Sequence, residues 1–306
     1  MVKKLPTVEI RSGYLLVVLS AFCFAAGGVA VKLLFRYGYS PQTLAQLRIW
    51  WAFAWLLALL ALFSRRRLRV RPAQLPALAV FGGVGLTAVQ LSYYLTIARI
   101  NIAIALLVQY LGLVAIAAWE RYHRREQVGR QVWGALLLVL IGAFFAVGAY
   151  QPSLLGINLP GIGLGLVSAA FFAFYMLRAS TLARRIDTWT ILLYGFGTGS
   201  LLWAGYDLVA GSSLPGDWRI WLVMAIVGLV GTLVGHALFV LAVRTIRASS
   251  AGIVATAEPV FAGVIAFALL GDRLQPLQVG GAFLILAGII MVQAGVRPPS
   301  ISMAAS

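Results

Sequence analysis

Glu258 precedes Pro259 inside a long apolar run, and this pair is the sharpest chemical feature of the chain. A carboxylate in such surroundings must be protonated, paired or turned toward water. Facing a cavity, Glu258 would take a substrate ammonium or a proton; as a structural group it would stay protonated and cover the break that Pro259 makes in its helix. His236 lies in another apolar run and offers the same choice, between a substrate carboxylate and a hydrogen bond linking helices. Gln90, Tyr93, Tyr94, Gln109 and Tyr110 concentrate polar and aromatic character in two neighbouring runs. That mixture suits a small solute with an apolar body and a polar head, although interfacial anchoring also explains many tyrosines of apolar helices. Gln90 and Tyr94, four apart, share a helix face. Phe24 and Tyr175 are expected to form an aromatic wall or to pack in the core. Arg48, Arg178 and Lys32 lie within or near the ends of apolar runs, where snorkelling or pairing with a carbonyl is the leading expectation and receipt of a substrate carboxylate the other.

These residues do not assemble into a catalytic set. The chain holds two histidines and one cysteine, Cys23, so neither a metal cluster nor an intrachain disulfide is expected. Glycine runs such as Gly27-Gly28, Gly82-Gly83 and Gly161-Ile162-Gly163 sit in apolar sequence with no Lys-Ser or Lys-Thr after them, which excludes a phosphate-cradling loop. Such small residues let helix backbones approach closely. An intramembrane enzyme is therefore only a remote alternative.

The elements that must position these residues are membrane spans. Hydrophobic residues make up 62% of the 306 and charged residues 10%, far from the roughly one quarter charged that is usual in soluble domains. The apolar residues arrive in blocks of about 20, the length that crosses roughly 30 Å of hydrocarbon. The runs predict ten helices, near Tyr14 to Arg36, Thr43 to Phe63, Leu75 to Ile97, Ile102 to Glu120 and Val132 to Tyr150, then Ile162 to Ala183, Thr190 to Val209, Trp218 to Val240, Ser249 to Leu270 and Leu277 to Val296. The first run is too long for a signal-peptide core and is read as a retained helix.

The net charge of +16 is not a nucleic-acid footprint, because the basic residues fall in short connections. Arg65, Arg66, Arg67, Arg69 and Arg71 follow the second run, and Arg121, Arg124, Arg125 and Arg130 follow the fourth. The corresponding connections after the seventh and ninth carry Arg219 with Asp207 and Asp217, and Arg273 with Asp272; Arg244 and Arg247 follow the eighth, where Arg99 stands alone after the third. This reversal, together with the match of Gln131-Val132-Trp133-Gly134-Ala135-Leu136 to Gln278-Val279-Gly280-Gly281-Ala282-Phe283, predicts a duplication threaded in opposite senses. The expected architecture is all-α: ten transmembrane helices as two inverted five-helix repeats, residues 1–155 and 156–306, around a central cavity. By the positive-inside rule both termini face the cytoplasm of a bacterial-type inner membrane.

Glu258-Pro259-Val260-Phe261-Ala262, followed by Gly271-Asp272-Arg273-Leu274 and the Gly280-Gly281 helix, resembles the second-repeat signature of the drug/metabolite transporter superfamily, specifically its EamA-type members. The first-repeat counterpart departs from the pattern: Leu113 stands where the family commonly has proline, and Glu120 follows sooner than usual. The resemblance spans nearly the whole chain and implies export or exchange of small metabolites, with exporters of aromatic and other amino acids, the YddG type, as plausible neighbours. It gives Pro259, Gly112 and Phe24 structural or gating roles beside the cavity residues. An organic-cation, multidrug or nucleoside carrier of the same fold is the alternative. The expected partners are the substrate and the bilayer, in a monomer or weak homodimer, with no cofactor; coupling to proton movement through Glu258 and facilitated efflux both stay open.

Overall fold

The computed structural model describes residues 7–35, 37–151, 158–210, 214–271 and 275–294. Arg36, Asp272, Arg273 and Leu274, which entered the sequence reading, lie outside them, as do the chain ends. We number the helices α1 (Thr7–Phe35), α2 (Pro41–Phe63), α3 (Pro72–Ile97), α4 (Ile102–Tyr122) and α5 (Arg130–Ala146), then α6 (Leu159–Ala183), α7 (Thr188–Ala210), α8 (Trp218–Ala242), α9 (Ala248–Ala255 continued by Ala257–Leu270) and α10 (Pro276–Ala294). Among the described residues no strand occurs, and eight helices are long and apolar enough to cross a membrane. The ten full spans expected are thereby qualified. α5 ends at Ala146 rather than Tyr150 and has 17 residues, about 25 Å of helix. α7 has 23 residues but is diluted by Thr188, Thr190, Gly195, Gly197, Thr198, Gly199, Ser200 and Asp207.

Polar residues just ahead of the helices act as caps, each satisfying a helix-end N–H that has no intrahelical acceptor. Ser40 Oγ accepts from the Thr43 N–H at 3.1 Å, ahead of Pro41 in the first turn of α2. Asn101 Oδ1 accepts from Ala103, Asn158 Oδ1 from Gly161 and Asp217 Oδ1 from Arg219. α9 closes on Gly271, whose φ of 68° falls in the left-handed region that glycine enters without strain.

Two irregularities recur. α3 widens into a π-helix over Phe81–Ala88 and α8 does so over Val227–Val234. In each a threonine hydroxyl turns back five residues, Thr87 to the Gly82 carbonyl at 3.1 Å and Thr232 to the Val227 carbonyl at 3.5 Å. α4 breaks at Leu111 and α9 at Thr256, near mid-helix. The outer surface is apolar, with Leu137, Leu201, Phe267, Phe283 and Ile290 all exposed, as expected where lipid is the solvent.

Inside, small residues bring backbones together, and the close seams join early helices to late ones. A Cβ on Gly27 of α1 would lie 2.9 Å from the Gly231 Cα of α8. On Gly82 of α3 it would meet the Gly195 carbonyl oxygen of α7 at 2.5 Å, and on Gly281 of α10 the Ala146 nitrogen at the end of α5 at 2.4 Å. The connections pair likewise. Arg67, after α2, lies 3.8 Å from Asp187, after α6, and Arg247, after α8, lies 3.4 Å from Glu126, after α4. Elsewhere the Asn158 amide, ahead of α6, donates to the Arg99 carbonyl after α3, and the Tyr150 hydroxyl after α5 donates to Gln275 ahead of α10.

Candidate substrate site

The break at Thr256 makes Ala257–Leu270 a half-helix that starts about 14 Å into the span. Glu258 and Pro259 occupy its first turn. The missing N–H of Pro259 therefore falls among donors that have no intrahelical acceptor. Glu258 is half-buried, and no described residue hydrogen-bonds or ion-pairs with its carboxylate. It lies within electrostatic reach of Tyr93 on α3, Tyr110 on α4 and Arg48 on α2.

Arg48 is held rather than free to snorkel. Its Nε donates to Thr232 Oγ1 at 3.0 Å and its Nη2 to the Gly231 carbonyl at 3.2 Å, in the π-helical stretch of α8 where regular backbone bonding is relaxed. The guanidinium is within electrostatic reach of Tyr94 and His236 as well as Glu258. Arg48, Glu258, Tyr93, Tyr94, Tyr110 and His236 thus form one neighbourhood contributed by α2, α3, α4, α8 and α9. Tyr93 and Gln90 are half-buried; the rings of Tyr93 and Tyr94 lie 6.2 Å apart.

Among the described residues His236 makes its hydrogen bond within its own helix, not to another. Its Nδ1 stands 2.8 Å from the Thr232 carbonyl one turn earlier in its own helix. A carbonyl can only accept, so Nδ1 carries the proton and Nε2 is left as the imidazole's acceptor. The ring is enclosed edge-on by Phe24 at 4.9 Å, Phe196 at 5.5 Å and Tyr175 at 6.0 Å. Tyr175 stacks in turn on Phe81 and Phe239, each at 5.7 Å. Phe24 and Tyr175 therefore both pack against His236, Tyr175 as part of the buried core. The hydroxyls of Tyr110 and Tyr175 are buried without a partner among the described residues.

Other sequence candidates are occupied elsewhere. The Gln109 amide donates to Ser168 Oγ on α6 at 2.8 Å and is buried, so it joins two helices. Gly112 is a contact residue: a Cβ there would stand 2.5 Å from the Ala169 carbonyl oxygen. Leu113, in place of the family proline, presses its Cδ2 where a Cβ on Gly252 of α9 would come within 2.5 Å, and α4 breaks beside it without any proline.

Three polar contacts escaped the sequence reading. Glu120 is fully buried, and its carboxylate accepts from the Ala248 N–H at 3.0 Å and the Ser249 N–H at 3.4 Å, capping α9 from another helix. Asp207, read as part of a connection, belongs to α7 and accepts from the Gln46 amide of α2. Ser20 Oγ donates to the Gly235 carbonyl at 2.7 Å, joining α1 to α8. The signal for Glu120 was its place at the end of an apolar run; its partners lie more than a hundred residues away.

The arrangement is a polar and aromatic cluster within a helical protein, and comparison with known proteins places the chain among membrane transporters. The chain is 27% identical to the uncharacterized inner membrane transporter YicL of Salmonella typhimurium over 92% of its length and 95% of the relative's. It is 27% identical to the threonine/homoserine exporter RhtA of Escherichia coli over 78% of the chain and 77% of that protein. A solved crystal structure of a protein 18% identical superposes with a TM-score of 0.75, covering 94% of this chain and 96% of that one, and shares the fold. The EamA-like transporter family model matches residues 11–148 and 159–293. The chain belongs to the EamA-like transporter family, within the drug/metabolite transporters.

Proposed function

We propose that this transporter carries small amino acids or close relatives by alternating access, with Arg48 and Glu258 as the polar poles of its site. The observation that carries this reading is Glu258: a half-buried carboxylate near mid-span, at the start of a half-helix, with no partner among the described residues and with Arg48 in electrostatic reach. When ionised and unpaired, a side chain at that depth costs roughly 2.5–3.5 kcal/mol on the insertion scale, which a substrate ammonium would offset. An α-amino acid presents an ammonium and a carboxylate, which match the two poles. The export of threonine and homoserine by RhtA supports the same class.

Ten crossings in two inverted repeats, residues 1–155 and 156–306, supply the framework of this proposal. The two matched stretches, the paired π-helices, the paired mid-helix breaks and the reciprocal glycine seams support it. Sites of inverted-repeat carriers lie near the midplane, where discontinuous helices meet. A second reading, a carrier of flat organic cations or nucleosides, draws on the aromatic enclosure of His236.

Counterflow of labelled threonine, aromatic amino acids, organic cations and nucleosides in proteoliposomes tests both readings. Threonine-driven exchange that Glu258→Gln lowers at least tenfold supports the first; exchange of cations or nucleosides alone replaces it with the second. Retained, pH-insensitive exchange in Glu258→Gln would leave facilitated movement and remove the proton carrier.

A further inference from the structure

A cleft of about 620 Å³ lies along the contact of α2 with α7, where Trp50 Nε1 donates to the Ser200 carbonyl at 3.2 Å, and is distinct from the Arg48–Glu258 neighbourhood. Trp50, Phe53 and Leu57 line it from one face of α2, while Tyr194, Gly197 and Leu201 are among the residues lining it from α7. Its rim is open on the lipid-facing surface, since Leu201 is 76% exposed and Leu57 39%. Small residues hollow it: a Cβ on Gly197 would already approach the Phe53 ring to 3.1 Å. Along α7 the lining runs from Leu193 to Ala204, about 16 Å of helix and close to the half-thickness of roughly 15 Å that one leaflet contributes to the hydrocarbon core.

One end of the cleft is basic. Leu68, in the turn Arg65–Leu68, lines it, and two hydrogen bonds pin that turn to α7: Tyr194 Oη donates to the Leu68 carbonyl at 2.8 Å and Thr190 Oγ1 to the Arg67 carbonyl at 3.3 Å. Arg65, Arg66, Arg67, Arg69 and Arg71 are all exposed on or next to the turn that carries Leu68, and Arg67 ion-pairs with Asp187. An apolar slot one leaflet deep with concentrated positive charge at its outer end is complementary to a single kind of molecule. Its chain is aliphatic and its headgroup anionic.

We infer that the α2–α7 cleft binds an anionic phospholipid, an acyl chain lying between Trp50 and Leu201 and the phosphate resting on the arginine turn. The inference requires a membrane-embedded chain and does not depend on which solute is carried. The lipid would cover a groove that runs beside the Trp50–Ser200 hydrogen bond joining α2 to α7, and would offset the repulsion among the arginines.

Native mass spectrometry of the full chain tests this, with phosphatidylglycerol and phosphatidylcholine of matched chains added in turn. Retention of one phosphatidylglycerol with about tenfold preference over phosphatidylcholine is expected. Arg66→Gln with Arg69→Gln and Arg71→Gln, at exposed positions, should abolish the preference while leaving some lipid bound. Ala204→Phe, which plugs the inner end, should reduce retention of both lipids. Equal retention of the two lipids by the unaltered protein, an unchanged preference in the triple variant, or competition by inorganic phosphate alone would each overturn the site. The triple variant decides the matter even should Ala204→Phe fail to fold.

Discussion

Two glutamates of the apolar helices, Glu120 fully buried and Glu258 half-buried, do opposite work. Glu120 accepts backbone N–H groups at the start of α9, where the positive end of the helix dipole favours its charge. Removing one partner of a buried bond exposes the desolvation cost of the other, roughly 1–3 kcal/mol. Glu120→Ala is accordingly expected to lower the thermal unfolding temperature in detergent. Glu258 has no such partner among the described residues, so Glu258→Gln should leave that temperature unchanged or raise it while it lowers transport. Equal destabilisation by both substitutions would make Glu258 a structural group. The contrast was hidden in sequence, where both are single acids in apolar runs. In the fold they differ in burial and, more decisively, in partners: a backbone 128 positions along the chain comes to meet Glu120.

The same distinction governs how the helices were read. Their existence follows from runs of about 20 apolar residues, and most boundaries fell within a few residues because Ser40, Asn101, Asn158 and Asp217 cap where turn-forming residues occur. The π-helical stretches were not legible, since Phe81–Ala88 and Val227–Val234 have the glycine-rich apolar composition of any close-packed span. Their register is a choice of acceptor, five residues back in place of four, which composition does not encode. The glycines can be sorted only in three dimensions. Gly27 and Gly281 lie in seams where a Cβ would strike backbone at 2.9 and 2.4 Å, while Gly28 and Gly280 face open space. Gly27→Ala and Gly281→Ala are expected to cost about 1–3 kcal/mol through overpacking. Their neighbours Gly28→Ala and Gly280→Ala should be near neutral or slightly stabilising. Denaturation midpoints of the four variants check this, and no difference within each pair would mean that the seams yield.

For the molecule as a whole, the ion pairs and caps make a statement about sidedness. Arg67 meets Asp187, Arg247 meets Glu126, and Arg124 donates to Thr181 near the end of α6, so the connections after α2, α4, α6 and α8 gather at one face, which we propose, on the positive-inside rule, is the cytoplasmic one. Single cysteines introduced at Arg67, Arg125 and Arg247 in a Cys23→Ala background are expected to react with impermeant maleimide only from the cytoplasmic side. One at Gln151 should react only from the other side. Labelling of Arg247 opposite to Arg67 would contradict the threading. Arg247→Gln, which loses both Glu126 and the bond to the Gln127 carbonyl, removes two contacts that tie the start of α9 to the connection after α4. It should therefore raise the reactivity of a cysteine at Ser249 without preventing folding.

The seams also bear on biosynthesis. Gly27, Gly82, Arg48, Gln46 and Glu120 all find their counterparts in α7, α8 or α9. When ribosomes add about 5–20 residues per second, the early helices sit in the bilayer for on the order of ten seconds before those counterparts emerge. During that interval the grooves along α1 and α3 and the polar groups of α2 and α4 must be covered by lipid, by water or by the insertion machinery. A fragment ending near residue 150 would stay in that unfinished condition and should be cleared by membrane proteases unless the remainder is synthesised alongside it.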